Sequence, residues 1–368
     1  MVGNSGLSNK IKRIHMDELA RYRDEQLRPN PVLRSLFLEL TFNCNEHCRH
    51  CGSKCGDKND PAGKPMSLEE WKGVLDQVKE DFDISRLALC VTGGEPLLYP
   101  DFFELMSYAK SLGFSWGMTT NGTLVNDEIA QKLYETGMKT ISVSVDGLEE
   151  THDWFRESPG SFKKTMEGVK CLLKHKFKHV QITTVVHKRN YKELEEMYEL
   201  ISKTGVRSWR VINVEPIGRA RDNPEIMLSK AEYRGVIRFV EEHRYMGKME
   251  VCYGCSHYLG VEHERETRGW YFLCSSGVYV ASIMNNGNIG ACLDIERRPE
   301  LVQGNIRTDR LKDVWENRFE IFRTDFRQTG KCANCKQYKY CKGDSFHTWD
   351  FDRMGPNLCM YKVLHPLG

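Results

Sequence analysis

Short apolar runs alternate with longer amphipathic segments between about residue 35 and residue 219. The runs predict six β-strands, at residues 36–41, 87–92, 115–120, 140–145, 180–186 and 208–214. The segments between them predict helices: Ser67 and Glu70 form a capping box, and Gly137 follows a helix over 129–136. This repeated pattern is typical of a parallel sheet with right-handed crossovers. Six units are too few for a closed eight-fold barrel, so we expect an α/β fold, a partial (β/α)6 TIM-type barrel.

The pattern changes after Arg219, which divides the chain into four predicted parts. Residues 1–34 form an N-terminal helical extension, with a charged helix over 16–26, and residues 35–220 form the β/α core. A helical bridge follows over 221–259, and residues 260–368 form a small domain rich in cysteine.

Charge and cysteine usage then narrow the classes of function. The 53 Lys and Arg against 51 Asp and Glu leave a formal charge of +2, so we expect no nucleic-acid partner. No apolar run reaches the length of a membrane span and no signal peptide is evident, so we expect a cytoplasmic protein without a membrane partner. The chain has 14 cysteines. Grouped thiols in a reducing compartment predict metal ligands rather than disulfides.

The first group follows the first predicted strand, where β/α proteins place their active sites. Cys44, Cys48 and Cys51 are separated by three and by two residues. An iron-sulfur cubane held by three thiolates keeps one iron free for another ligand. A structural zinc ion would need a fourth ligand, which Cys55 or His50 would supply. The spacing favours the iron-sulfur cluster.

This Cys-x3-Cys-x2-Cys loop resembles that of the radical S-adenosylmethionine (SAM) superfamily. Further matches follow successive strands, at Gly93-Gly94-Glu95-Pro96, at Asn121, at Ser144 and Asp146, at Arg156, and at 216–220 with Arg219. The resemblance implies that the residues 93–96 hold the SAM amine, and that Ser144 and Asp146 lie near the ribose. It places Arg156 at the SAM carboxylate and Arg219 on the adenine side. The implied cofactors are a 4Fe-4S cluster and SAM, which together yield a 5′-deoxyadenosyl radical.

The C-terminal cysteines resemble the SPASM domain, which carries up to two auxiliary iron-sulfur clusters in this superfamily. The resemblance implies ligands at Cys274 and Cys292 for a first cluster and at Cys332, Cys335, Cys341 and Cys359 for a second. Ser345 stands where the family pattern has another cysteine, so Cys252 and Cys255 are candidate substitutes for the first cluster. Zinc knuckles are the alternative for the Cys332 and Cys335 pair.

Relatives with a SPASM domain mostly modify peptides, which makes a maturase of ribosomal peptides the leading expectation. It would form a thioether or carbon-carbon crosslink, or epimerise a residue. The alternatives are sulfatase maturation, modification of a tetrapyrrole side chain, and a non-enzymatic iron-sulfur carrier or zinc scaffold. Asp294 is a candidate base, shifted by one residue from its position in sulfatase-maturing relatives. The expected partners are a peptide or protein substrate and an electron donor of the flavodoxin or ferredoxin type. Either a separate leader-binding protein delivers the substrate, or the core binds it directly.

Overall fold

A computed structural model describes residues 8–56, 63–254 and 256–366. Within these residues the main feature is a ten-stranded sheet in the order β10-β9-β8-β1-β2-β3-β4-β5-β6-β7. Strands β1 to β8 are parallel to one another, β9 is antiparallel to β8, and β10 is antiparallel to β9. The strands are β1 Ser35–Glu39, β2 Ala88–Thr92, β3 Ser115–Thr120, β4 Met138–Ser144, β5 His179–Val186, β6 Ser208–Asn213, β7 Glu250–Tyr253, β8 Val280–Ile283, β9 Asn288–Gly290 and β10 Gly304–Asn305.

The partial TIM-type barrel predicted from the sequence is confirmed, with each of the six predicted strands found within two residues of its expected ends. Two further parallel strands were not predicted. β7 lies in the expected helical bridge and extends the sheet beyond β6, and β8 comes from the cysteine-rich region and pairs with β1. The C-terminal region therefore completes one edge of the barrel sheet.

Helices cover the outer face of this sheet and fasten the C-terminal region. They are α1 Asn9–Tyr22, α2 Leu68–Asp81, α3 Phe102–Leu112, α4 Asp127–Glu135, α5 Glu149–Arg156, α6 Ser161–Leu173, α7 Leu194–Ser202, α8 Arg219–Asp222, α9 Lys230–His243, α10 Val261–Thr267, α11 Leu311–Asn317, α12 Glu320–Arg323, α13 Tyr338–Cys341 and α14 Met360–Leu364. The capping box of Ser67 and Glu70 is present at the start of α2.

Apolar side chains of the strands and helices form one large core between the sheet and its helices. A smaller cluster joins α1 to the C-terminal region through Met16, Tyr258, Phe272 and Tyr340. The N-terminal extension therefore packs against the cysteine-rich region. None of the helices in the described part of the chain is both long and apolar enough to span a membrane.

Candidate active site

The carboxyl ends of the parallel strands bring together the segments singled out in the barrel sequence. The cysteine loop follows β1, Gly93 to Pro96 follow β2, and Asn121 follows β3. Asp146 lies just beyond β4, and Arg219 begins α8 after β6. Because these ends share one edge of the barrel, the segments meet at its mouth.

The thiols of the cysteine loop lie close enough to perturb one another. Burial raises the pKa of Cys44 to about 11, and the neighbouring Glu95, Glu46 and Cys51 oppose its ionisation further. Burial also raises the pKa of Cys48, to which Cys51 and Cys44 add. A cysteine binds iron as the thiolate and not as the thiol. Three adjacent thiolates repel one another unless a cation lies between them. This donor set therefore fits a cationic iron-sulfur cluster.

A fourth thiol, Cys55, supports Cys51. Cys55 is buried, with its sulfur 3.8 Å from the Gly93 carbonyl oxygen. Its hydrogen bond to Cys51 lowers the pKa of Cys51, and the charge of Arg219 adds to this shift. Across the described ranges, no three His, Cys, Asp or Glu side chains are grouped as ligands of a single metal ion.

The Arg219 side chain holds the cysteine loop in place through hydrogen bonds to backbone carbonyls of that loop. Its Nε donates to the Cys48 carbonyl oxygen at 2.8 Å, and its Nη1 donates to that of Cys55 at 3.1 Å. The preceding Gly218 has φ +53°, and a Cβ there would lie 2.2 Å from the Cys51 carbonyl oxygen. The segment after β6 can approach the loop this closely only with glycine at this position. The guanidinium that the resemblance assigned to the adenine side thus braces the cluster loop.

The Gly-Gly-Glu-Pro turn packs against the other side of the same loop. The backbone N–H groups of Gly94 and Glu95 donate to the carbonyls of Thr41 and Asn43, each at 2.8 Å. A Cβ on Gly94 would lie 2.2 Å from the Asn43 oxygen. Gly93 precedes this contact, and Pro96 is buried at the start of a short helical turn. The turn therefore fixes the position of the cysteine loop.

Glu95 ties this turn to the end of β3. Its carboxylate accepts hydrogen bonds from the Thr120 hydroxyl at 2.8 Å and from the Asn121 backbone N–H at 2.9 Å. Burial raises the pKa of Glu95 to about 7 against these donors. The Asn121 side chain in turn donates to Asn45 in the cysteine loop at 2.8 Å. Glu95 and Asn121, which are both candidate SAM-binding residues, are thus held in one hydrogen-bond network within the protein itself.

A buried ion cluster lies next to the thiols. Arg156 donates to the Asp146 carboxylate at 2.5 and 2.8 Å and to the Glu46 carboxylate at 3.2 Å. Burial alone would raise the pKa of Asp146, but the charge of Arg156 lowers it. Ser144 lies half-buried at the end of β4. The guanidinium expected to bind the SAM carboxylate is therefore held by two carboxylates of the chain, of which Glu46 was not predicted.

A stack of neutral rings was also not predicted. His50 lies parallel to Phe155 with ring centroids 4.3 Å apart, and Phe155 stacks on His187 at 3.8 Å. Burial lowers the pKa of His50 to about 3 and that of His187 to about 4. Both rings are therefore neutral near pH 7, each with a nitrogen sealed from solvent and lacking a hydrogen bond in the described residues. The only feature of the sequence that pointed to this stack was His50, which directly precedes Cys51.

The four cysteines expected to hold the second auxiliary cluster lie close enough to oppose one another's ionisation. Burial raises the pKa of Cys332, and Cys359 and Cys335 add to the shift. Burial raises the pKa of Cys341 to about 12, with Asp344 and Cys359 as further contributors. Four neighbouring thiols on short helices and turns fit a four-cysteine iron-sulfur cluster.

The set expected for the first auxiliary cluster is less complete. Cys274 shares a small cavity with Cys341 and Arg327, and the Cys292 sulfur lies 3.8 Å from the exposed Asp294 carboxylate. Ser345 is buried. Cys252 lies on β7 in register with Arg210, in different surroundings from Cys274. Cys255 lies outside the described residues.

A buried histidine connects the barrel to the C-terminal region. His257 Nε2 lies 2.7 Å from Glu215 beyond β6, and its Nδ1 lies 2.8 Å from Asp344, three residues after Cys341. Burial alone would lower the pKa of His257, but the two carboxylates raise it to about 10. His257 is therefore a cation that joins one carboxylate from each region. The three residues are far apart in sequence, so no pattern revealed them.

Comparison with known families agrees with this geometry. The profile of the radical SAM superfamily matches residues 38–201. The profile of the SPASM iron-sulfur cluster-binding domain matches residues 274–336. The two matches cover the barrel mouth and most of the C-terminal cysteines.

Individual relatives fall into two groups. The AdoMet-dependent heme synthase of Methanosarcina barkeri is 32% identical over 327 residues, covering 84% of this chain and 90% of the relative. The mycofactocin maturase MftC of Mycobacterium tuberculosis is 27% identical over 309 residues, covering 83% of this chain and 76% of the relative. The crystal structure of Streptococcus suis SuiB bound to its precursor peptide SuiA superposes with a TM-score of 0.71 at 17% identity. That match covers 99% of this chain and 84% of SuiB.

Proposed function

Because the chain belongs to the radical SAM superfamily and carries a C-terminal SPASM domain, we propose that it modifies a side chain of an iron tetrapyrrole. The match to the heme synthase carries this proposal, since it combines 32% identity with 90% of that relative's length. The maturase match has lower identity and reaches 76% of its relative. The tetrapyrrole reaction therefore replaces peptide maturation as the leading function.

Residues at the barrel mouth would hold the cofactors of this reaction. Cys44, Cys48 and Cys51 would bind the 4Fe-4S cluster, leaving one iron for SAM. When bound, the cluster and SAM supply an electron and a 5′-deoxyadenosyl group that removes one hydrogen atom from the substrate. Arg219 and Gly218 fix the loop that carries these thiols. The buried ion pair of Asp146 and Arg156 would keep the base of this loop rigid and exclude water from it.

The C-terminal thiols would hold the group that takes part in the oxidation of the substrate in the same reaction. Loss of a hydrogen atom leaves a substrate radical, and its oxidation to a stable product releases one further electron and one proton. Cys332, Cys335, Cys341 and Cys359 would hold an iron-sulfur cluster, which would supply one-electron redox chemistry there. Asp294 would accept a proton at the first auxiliary site, where its carboxylate approaches Cys292.

Peptide maturation is the second candidate. The maturase relative and the peptide-bound SuiB structure support it, the latter through the fold alone. A separate leader-binding protein would then deliver the substrate.

A test of the proposed function compares the two substrate classes in one assay. The protein is reconstituted with iron and sulfide without oxygen, and SAM and dithionite are added with an iron porphyrin that carries deuterium in its carboxylate side chains. We expect deuterium in the 5′-deoxyadenosine and a porphyrin of changed mass. The variant with Cys44, Cys48 and Cys51 all replaced by alanine is the control and should form neither. Deuterium transfer from a labelled candidate peptide, with none from the porphyrin, would favour peptide maturation instead.

A further inference from the structure

The inner face of the barrel is polar on strands β4 to β7. On β6, the buried Trp209 and Val211 alternate with the half-buried Arg210 and Ile212. Trp209 packs edge-on against Phe239 of α9 with ring centroids 5.6 Å apart, so the buried set faces the helices. Successive side chains of a strand point to opposite faces. The half-buried set, including Arg210, therefore faces the inside of the barrel.

Arg210 is connected by the strand register to Ser144, a residue of the expected SAM site, through one row of residues that runs across neighbouring strands. Ser144 of β4 is in register with Thr183 of β5, Thr183 with Arg210 of β6, and Arg210 with Cys252 of β7. Adjacent strands lie about 4.8 Å apart, so the backbones at Ser144 and Arg210 are separated by about 10 Å. An arginine side chain is long enough to cover much of that gap. Arg210 is thus placed within side-chain reach of Ser144, which the resemblance assigns to the SAM ribose.

The guanidinium of Arg210 lacks a partner within the described part of the chain. Neither a hydrogen bond nor an ion pair of its side chain is present there, and its Nε is sealed from solvent. The groups next to it on the inner face are the Cys252 thiol and a neutral ladder formed by Ser142, Thr183 and Gln181. The one anion on this face of β7 within the described residues, Glu250, accepts a hydrogen bond from Arg244 at 2.9 Å and not from Arg210. A partly buried cation without an anion is costly unless a ligand supplies the charge.

Other arginines at the barrel mouth are satisfied by the protein itself. Arg156 is held by two carboxylates, Arg219 binds two backbone carbonyls, and Arg297 pairs with Glu39. Arg210 differs from these three because its guanidinium has no partner among the described residues, while the strand register places its side chain on the inner face of the barrel. A planar guanidinium is suited to bidentate binding of a carboxylate.

We infer that Arg210 binds a carboxylate of the substrate inside the barrel. The inference rests on the proposed function, because iron porphyrins that precede heme carry carboxylate side chains. Anchoring one carboxylate at β6 fixes the ring relative to the row that ends at Ser144. Arg210 is accordingly a substrate-binding and positioning residue, and no proton or electron passes through it.

The test compares an acid with its ester in wild type and in Arg210→Gln. Binding of iron coproporphyrin III and of its tetramethyl ester to the reconstituted protein is followed by the shift of the Soret band. We expect Arg210→Gln to weaken binding of the acid by roughly tenfold to a hundredfold, the range of a charge-assisted hydrogen bond. The ester, which lacks the carboxylates, should bind wild type and Arg210→Gln equally.

Two further variants control for the fold and for net charge. Arg207→Gln removes the same charge from an exposed position just before β6 and should match wild type. Arg210→Lys keeps the charge but loses the planar fork, so binding of the acid should fall between that of wild type and Arg210→Gln. Iron content and the dissociation constant of SAM are measured on each variant.

The possible outcomes separate the inference from the function beneath it. Equal affinity of wild type and Arg210→Gln for the acid would overturn the inference and leave the proposed function standing. Weaker SAM binding with unchanged porphyrin binding would also overturn it, by assigning Arg210 to SAM. Failure of wild type to bind either porphyrin would overturn the proposed function and the inference together. If Arg210→Gln loses iron, Arg210→Lys is compared with wild type instead. Binding of the acid by Arg210→Lys as tight as by wild type would then count against the inference.

Discussion

The barrel mouth and the contact of α1 with the C-terminal cysteine region are held by different means. At the mouth, the loop with Cys44, Cys48 and Cys51 is fixed by buried groups, among them Arg219 and the cluster of Arg156 with two carboxylates. In the C-terminal region, α1 packs beside thiols on short helices and turns, and ion pairs at its surface add to this contact. One such pair joins Asp17 to Lys339, with both side chains about half exposed.

The difference shows where each region depends on precise charge balance. A buried ion cluster is stable only while every charge in it is paired, so removing one member exposes the desolvation cost of the others. An exposed pair is compensated by water when one partner is lost. We therefore expect substitutions at the mouth to be costly and equivalent substitutions at the α1 contact to be mild.

Arg156→Gln should produce the largest effect. It leaves the carboxylates of Glu46 and Asp146 buried without a cation, and breaking a buried pair in this way costs about 3–5 kcal/mol. We expect the free energy of unfolding in urea to fall by this amount, and the iron content to decrease because the cysteine loop packs on these residues.

Arg189→Gln is the matched control for that experiment. Arg189 binds Glu150 at 2.6 Å, with Glu150 92% exposed, and its Nε donates to the Thr151 hydroxyl at 3.0 Å, so the loss should stay below about 2 kcal/mol. Adding Glu46→Gln to Arg156→Gln should recover part of the stability by removing one unpaired charge. An unfolding midpoint for Arg156→Gln equal to that of wild type would remove the proposed distinction between the two regions.

Gly218→Ala should have the next largest effect at the barrel mouth. The added Cβ would lie 2.2 Å from the Cys51 oxygen, so the cluster loop must move. We expect a loss of about 1–3 kcal/mol in unfolding free energy and a lower yield of reconstituted cluster. Gly205→Ala isolates the cost of positive φ, since Gly205 has φ +92° but nothing within 4 Å of an added Cβ. Equal losses in the two variants would show that the close contact at Cys51 contributes nothing.

The sequence predicted those parts of the fold that depend on local patterns. The six strands of the barrel core are apolar runs of sufficient length, and Ser67 and Glu70 are a local cap signal. β7 was missed because Glu250–Tyr253 is only four residues long and lies in a polar stretch. β8 was missed because its pairing with β1 joins segments about 245 residues apart.

The roles of charged residues at the site depend on tertiary contacts and were less predictable. The motif resemblance placed Arg156 and Arg219 near SAM, but their partners in the structure are Glu46, Asp146 and carbonyls of the cysteine loop. Whether a guanidinium is already satisfied by the protein cannot be read from the motif that contains it. The same applies to Arg210, whose lack of a partner among the described residues depends on which side chains the adjacent strands place beside it.

Asp17→Asn should produce the smallest effect and sharpens the comparison from the C-terminal side. Asp17 accepts from Lys339 Nζ at 2.7 Å and from the Tyr340 hydroxyl at 2.9 Å, and the Lys339 contact lowers the pKa of Asp17. Asparagine keeps an acceptor for the tyrosine, so only an exposed charge pair is lost, at about 0.2–1 kcal/mol in urea unfolding. In a double-mutant cycle with Lys339→Met, the coupling should disappear in 1 M salt, because exposed charges are screened. A coupling above about 2 kcal/mol that persists in salt would show that α1 is held as firmly as the barrel mouth.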